Sequence, residues 1–237
     1  MARVIKIDNV LQKRFSFKRK GVSKSKELVA YFLIVCEGEK TEPNYFNSFP
    51  KKVGKVIYDI EFEGGGISTI KVVEKAMEIR KNSKQKYDRV WAVFDRDSFN
   101  AASFNGAIAK AEANNIYCAW SNQAFELWYL LHFHNRITSM NRDEYKSALE
   151  EAINDKIGRK KTKYKYLKND QNMYNLLKKL GNQELAIKWA SDLSRRMTGG
   201  AFANYNPMTK VFELVNELNG NSDTLNEEIL LKYNKGE

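Results

Sequence analysis

The run ELVAYFLIVC at residues 27–36 does most to limit what this chain can become. It is too short to cross a bilayer, which takes about 20 apolar residues. It is also too continuous for a strand with one face in water, which would alternate. An apolar run of this length fits a strand buried on both faces, as in parallel sheets covered by helices. It stops abruptly at Glu37-Gly38, and a helix is expected over 41–49, with Pro43 tolerated in its first turn. KVIYDIEF (55–62) reads as a second strand and Gly64-Gly65-Gly66 as a flexible turn. Residues 67–83 follow helical spacing, and DRVWAVFD (88–95) is a third strand, again stopped by acids. A helix over 104–115, strand IYCAW (116–120) and an apolar helix within SNQAFELWYLLHFH continue the alternation. Strands alternating with helices imply an α/β fold around a parallel sheet. From about residue 140 onward the patterns are helical (141–154, 171–197, 208–219), with no convincing strand. The expected organisation is a basic leader at 1–27, an α/β core at 28–138 with helices on both faces of its sheet, and a helical C-terminal lobe at 139–237.

Charge is unevenly spread. The chain of 237 residues carries +11 at neutral pH. Residues 1–26 hold nine Lys/Arg against Asp8 alone, and KIGRKKTKYKYLK (156–168) holds seven with no acid. Together these exceed the net charge of the whole chain, so the body between them is mildly acidic. Basic patches of this kind meet phosphate backbones, and Tyr164 and Tyr166 would add base stacking to the contacts of Lys160, Lys161, Lys163 and Lys165. The plainer alternative is a solvated tail and a lysine-rich loop. Only Cys36 and Cys118 are present, each in an apolar run, which excludes a disulfide scaffold and points to a reducing cytoplasm. No 18-residue apolar stretch exists, and MARVIKIDNVLQKRFSFKRK lacks the apolar segment of a secretory leader.

The chemistry lies at the strand ends. Parallel α/β sheets bind their ligands outside the carboxyl ends of the strands. Glu37 follows the first strand, Asp95-Arg96-Asp97 follows the third, and Glu126 lies in the helix after the fourth. Acids gathered at one sheet edge need a cation, and carboxylate oxygens suit Mg²⁺ or Mn²⁺. The Asp-x-Asp alternation sends both carboxylates to one side and Arg96 to the other. Each acid taken alone could equally be a helix N-cap or a loop residue. Asn122, ending a strand beside these acids, is a candidate to bind phosphate or orient Glu126. His132 and His134 have metal-ligand spacing only on a strand, and this segment reads as a helix, so both are expected to be structural. There is no Gly-x-x-x-x-Gly-Lys-Ser/Thr and no Gly-x-Ser-x-Gly, which argues against a nucleoside triphosphatase and a serine hydrolase.

A Glu-Gly strand end followed by an Asp-x-Asp strand end resembles the Toprim fold of topoisomerases, primases and OLD-type nucleases. More closely, FLIVCEGEKTEPNYF, VWAVFDRD, SNQAFELWYLLHF and NPMTKVFELVNEL are similar to the RloB family of Toprim-related defence proteins. The resemblance implies a Toprim-like core and a metal-dependent nuclease acting on DNA or tRNA. It also implies an anti-phage effector working beside an AAA/ABC-type ATPase, able to form a homo-oligomer. On this chain Glu37 matches the first Toprim Glu, and Asp95 and Asp97 match the Asp-x-Asp pair. OLD-type sites carry a second acid four residues after the first Glu. Thr41 stands there in this chain, and Glu39 or Glu42 is the substitute.

The expected mechanism has Asp95 and Asp97 as principal Mg²⁺ ligands, with Glu37 ligating or taking the proton of the attacking water and Glu42 as a further ligand. Lys40, at a helix N-terminus, would neutralise charge on the phosphate, and Glu126 would add a further acid. The alternative is a catalytically silent module that binds nucleic acid or a partner.

Overall fold

A computed structural model describes residues 28–64, 68–96, 100–158 and 162–234. The leader at 1–27, Asp97, Lys160 and Lys161 lie outside the described residues. The fold is α/β, built on a six-stranded sheet in the order β2-β3-β1-β4-β5-β6. Its strands are β1 (Leu28–Cys36), β2 (Lys52–Val53), β3 (Val56–Gly64), β4 (Arg89–Asp95), β5 (Tyr117–Asn122) and β6 (Met208–Thr209). The helices are α1 (Thr41–Asn47), α2 (Thr69–Asn82), α3 (Ala101–Ala113), α4 (Glu126–Leu130), α5 (Arg142–Ile157), α6 (Met173–Leu180), α7 (Gln183–Ser194), α8 (Val211–Leu218) and α9 (Asp223–Asn234). Helices cover both faces of the sheet.

The apolar run is the central strand, as its pattern demands. Phe32 through Cys36 are fully buried, and β1 pairs in parallel with β3 on one side and β4 on the other. The β4–β5 pair is also parallel. The chain leaves β1, builds β3 on one flank, then returns to place β4 on the opposite flank. The carboxyl ends of β1 and β4 therefore flank the point where strand order reverses, the crevice that open α/β sheets use for ligands.

Three features depart from expectation. The sheet is mixed, because two-residue strands β2 and β6 add antiparallel edges. Such short edges leave little ladder for another chain to extend. The helix expected over 171–197 is two helices, α6 and α7, broken at Gly181-Asn182. A Cβ on Gly181 would lie 2.7 Å from the His132 Cβ, and the Asn182 side chain accepts the Leu185 N–H to start α7. Finally, β6 and α9 stand where no strand and no helix were expected.

Elements beyond residue 138 enter the core. Asn206-Pro207 leads into β6, and the Thr209 and Ser121 hydroxyls meet at 2.9 Å across the β5–β6 pair. Glu217 of α8 accepts from Arg89 Nε at 2.8 Å and from Trp91 Nε1 at 2.9 Å, while Glu228 of α9 pairs with Arg89 Nη1 at 2.5 Å. Arg89 and Glu217 are both buried, so each depends on the other for its neutralisation. On the far side of β1, Tyr45, Phe49, Phe125, Tyr129 and Tyr174 join α1, α4 and α6 at ring separations of 4.8–5.8 Å. Removing one member of a buried ion pair costs about 3–5 kcal/mol. Glu217→Ala is therefore expected to lower the unfolding free energy by roughly that amount in urea titration. Glu217→Gln, which keeps an acceptor for Trp91, should cost less. A loss under about 1 kcal/mol for the alanine variant would show that Arg89 finds other neutralisation.

Candidate active site

Asp95 is the last residue of β4 and only 9% exposed. Its Oδ2 accepts the Phe125 N–H at 3.0 Å, so the turn from β5 into α4 wraps around the carboxylate. Its Oδ1 is buried with no hydrogen-bond partner among the described residues. Its own backbone N–H donates to Glu37 Oε2 at 3.2 Å, tying the β4 end to the residue that follows β1. Burial pushes the Asp95 carboxyl well above its usual range, and the charges of Glu42, Glu126 and Glu37 add to that rise.

Glu42, in the first turn of α1, is 6% exposed. A Cβ on Gly38 would collide with its carboxylate, so glycine there admits the acid to the strand end. Gly64 admits the same turn from the other side, since a Cβ would sit 2.8 Å from the Gly38 carbonyl oxygen. Burial raises the Glu42 pKa and Glu126 adds to the rise, against hydrogen bonds from its own backbone and from Gly38 and the charge of Lys168. Of the two acids weighed for this position, Glu42 is the one turned into the cluster; Glu39 is exposed.

Glu126 begins α4 and is 7% exposed, with Oε1 accepting from the Tyr166 hydroxyl at 2.8 Å. Tyr166 arrives on an extended strap, residues 162–170, that lies along α5. Asn154 exchanges hydrogen bonds with both backbone groups of Tyr164, and Glu150 Oε1 accepts the Tyr166 N–H at 2.8 Å. The strap then reaches α1, where Thr41 Oγ1 donates to the Lys168 carbonyl at 2.8 Å. Alternation along it turns tyrosines inward and leaves Lys163, Lys165 and Lys168 exposed.

Around Asp95 the structure thus places Glu37, through its hydrogen bond to the Asp95 N–H, and Glu42 and Glu126 within electrostatic reach. It gives other candidates different work. Tyr164 and Tyr166 were expected to stack on bases. Tyr166 is instead buried against Glu126, and Tyr164 donates to Asp170 Oδ2 at 2.9 Å. Asn122 is fully buried and its amide donates to the carbonyls of Ala203 and Tyr205, so it orients that loop and not Glu126. Lys40 is the exposed N-cap of α1, and the cation acting on Glu42 is Lys168. Arg96 points away from the acids and donates to the Ala203 carbonyl at 2.7 Å. His132 is buried, with Nδ1 at 2.9 Å from the Trp128 carbonyl and its pKa pushed down to about 4 by burial, as a neutral core residue. The role of Tyr166 was missed because its partner lies 40 positions away; the strict Lys-x-Lys, Tyr-x-Tyr alternation of 163–166 was the available signal.

A scan against family models matches RloB-like protein over residues 32–218. The chain belongs to the RloB-like family. No curated protein matches it, and no solved structure does. Among the described residues no helix is long and apolar enough to cross a membrane.

The donor set fits a hard divalent cation. It is made of carboxylate oxygens, one of them buried and unpartnered among the described residues, and the neighbouring acids add to the raised pKa values of Asp95 and Glu42. No three metal-ligating side chains converge among the described residues. A Mg²⁺ ion held by one or two carboxylates, with water completing its shell, needs no such convergence.

Because the folded-state pKa of Asp95 is raised, its ionisation opposes folding. The penalty is absent below the unfolded pKa near 3.9 and grows as pH rises toward the folded value. In metal-free protein, Asp95→Asn is thus expected to raise the melting temperature near neutral pH. Each kcal/mol gained corresponds to about 2–4 °C at this size. The gap should shrink as pH falls toward about 4. A lower melting temperature for the variant near pH 7, or a gap that widens on acidification, would contradict a buried, uncompensated carboxylate.

Proposed function

We propose that this RloB-like chain is a divalent-metal-dependent nuclease that hydrolyses phosphodiester bonds in DNA or tRNA. One observation carries the reading. At the crevice between β1 and β4, the Asp95 carboxylate is buried with one oxygen unpartnered among the described residues and three further acids within electrostatic reach. Structural ion pairs do not leave a buried acid in that condition, and sites built to take up a cation do.

Asp95 would hold Mg²⁺ or Mn²⁺ through Oδ1, with Glu42 as a second carboxylate and water completing the shell. Asp97, outside the described residues, keeps its place as the partner of Asp95 in the Asp-x-Asp motif. The ion, when bound, supplies positive charge to the phosphate and acidifies a water molecule. Phe125 N–H fixes the orientation of Asp95 by holding Oδ2. Glu37 is half-exposed at the crevice, where it can accept a proton from water. Tyr166 steadies Glu126 at the far side of the cluster. Through the Toprim resemblance of its motifs the reading extends to a phage-defence effector acting beside an AAA/ABC-type ATPase.

The test is incubation of the purified chain with plasmid DNA and with total tRNA, in Mg²⁺ or Mn²⁺ and in EDTA. Cleavage is expected in metal only, and Asp95→Ala or Glu37→Ala should reduce it to background. Cleavage that survives both substitutions would refute the site. Binding without metal-dependent cleavage, alone and with the ATPase added, would instead favour a silent nucleic-acid-binding module.

A further inference from the structure

Beside the acid cluster lies a cleft of about 390 Å³ between the first turn of α5 and the strap. That volume falls within the range of small-ligand sites. Glu126 and Tyr166 line it, so one acid of the site, Glu126, faces the cleft. Its cationic side consists of Arg142 and Lys146 from α5 and Lys168 from the strap. Against these stand Asp143 and Glu126. Lys168 belongs to both places, since its charge also reaches Glu42.

Two further features suit a nucleotide more than a bare anion. Leu167, 62% exposed, forms an apolar wall with the Tyr166 ring. At the floor, Tyr145 is 1% exposed and its hydroxyl has no hydrogen-bond partner among the described residues. A buried hydroxyl left without a partner costs about 1–3 kcal/mol. Tyr145 is within electrostatic reach of Arg136, Asp95, Glu126 and Glu144. Arg136 Nε is likewise buried without a partner.

We propose that this cleft seats one nucleotide unit of a nucleic-acid strand. Arg142, Lys146 and Lys168 hold its phosphate, Leu167 and the Tyr166 ring pack on its sugar and base, and the Tyr145 hydroxyl donates to a phosphate oxygen facing the acids. The inference rests on the nuclease reading for its purpose, since the seat would present the neighbouring phosphodiester to Asp95. Its chemistry can be tested with catalysis switched off.

The experiment is fluorescence anisotropy of labelled single-stranded DNA and RNA oligonucleotides with the full chain in EDTA, across a salt series, with a free 5′-mononucleotide as competitor. The Lys146→Ala/Lys168→Ala pair should weaken binding at least about tenfold and lower the salt slope by about 1.4, or 0.7 for each lost phosphate contact. That loss should exceed the loss from the equally charged change Lys163→Ala/Lys165→Ala. Tyr145→Phe should keep or raise the melting temperature, because it deletes an unpartnered hydroxyl, yet weaken binding; a merely structural Tyr145 would leave binding untouched. Equal losses from the two lysine pairs, with Tyr145→Phe binding normally, would overturn the proposal. A mononucleotide that binds as tightly as the oligonucleotide would overturn the assignment to a strand. Normal binding by the cleft variants alongside metal-dependent cleavage would sink the cleft and leave the nuclease. Lost binding with no cleavage under any condition would sink the nuclease and leave the cleft.

Discussion

Holding the Asp95 carboxylate out of water at the end of a fully buried strand is the constraint on which the site and its surroundings depend. A carboxylate removed from water needs hydrogen bonds, a counter-charge or a proton. Here the protein supplies a hydrogen bond from Phe125 to one oxygen, gives the other no partner among the described residues, and sets Glu37, Glu42 and Glu126 within electrostatic reach. Much of the local architecture serves that arrangement. Gly38 and Gly64 clear room for the turn after β1, and the β5–α4 turn presents the Phe125 N–H. The arrangement costs stability, because ionising a buried carboxylate with a raised pKa opposes folding.

The strap over 162–170 joins the charge pattern to the site. Its lysines project to solvent while Tyr164 and Tyr166 anchor it to α5, Asp170 and Glu126. Because it also ties to Thr41 and Asn44 on α1, it closes the outer side of the acid cluster and carries Lys168 to within reach of Glu42. Positive potential is thereby held beside the acids without a cation being buried among them. An anionic strand drawn toward the lysines would meet the acid cluster through the cleft that Arg142 and Lys146 border.

Much of this was legible in the sequence, for local reasons. The run 27–36 and VWAVFD could only be central strands, and acids directly after them marked the crevice. Glu37, Asp95 and Glu126 follow from that logic, whereas Glu42 entered only through the resemblance to OLD-type sites, with Glu39 as the open alternative. What escaped depends on distant partners or very short elements. β6 is two residues long and exists because Ser121 and Asn122 offer it an edge. The break between α6 and α7 was signalled by Gly181-Asn182, a helix stop followed by a cap, but the close approach of His132 that requires glycine is a tertiary fact. Tyr145 looks like an ordinary core aromatic on α5, and only the fold sets it in the same cleft wall as Glu126. The tyrosines of the strap look like stacking residues for the same reason, since what buries Tyr166 is Glu126, far away in sequence.

The central question for this chain is whether the β1/β4 crevice takes up a divalent cation. Titrating the purified chain with Mn²⁺ and following the free-ion signal by electron paramagnetic resonance measures this directly, without any substrate. Saturable loss of free Mn²⁺ is expected, competed by Mg²⁺ and abolished or strongly weakened by Asp95→Asn in a protein that remains folded. Uptake that Asp95→Asn leaves unchanged, or no uptake at millimolar Mn²⁺, would contradict it.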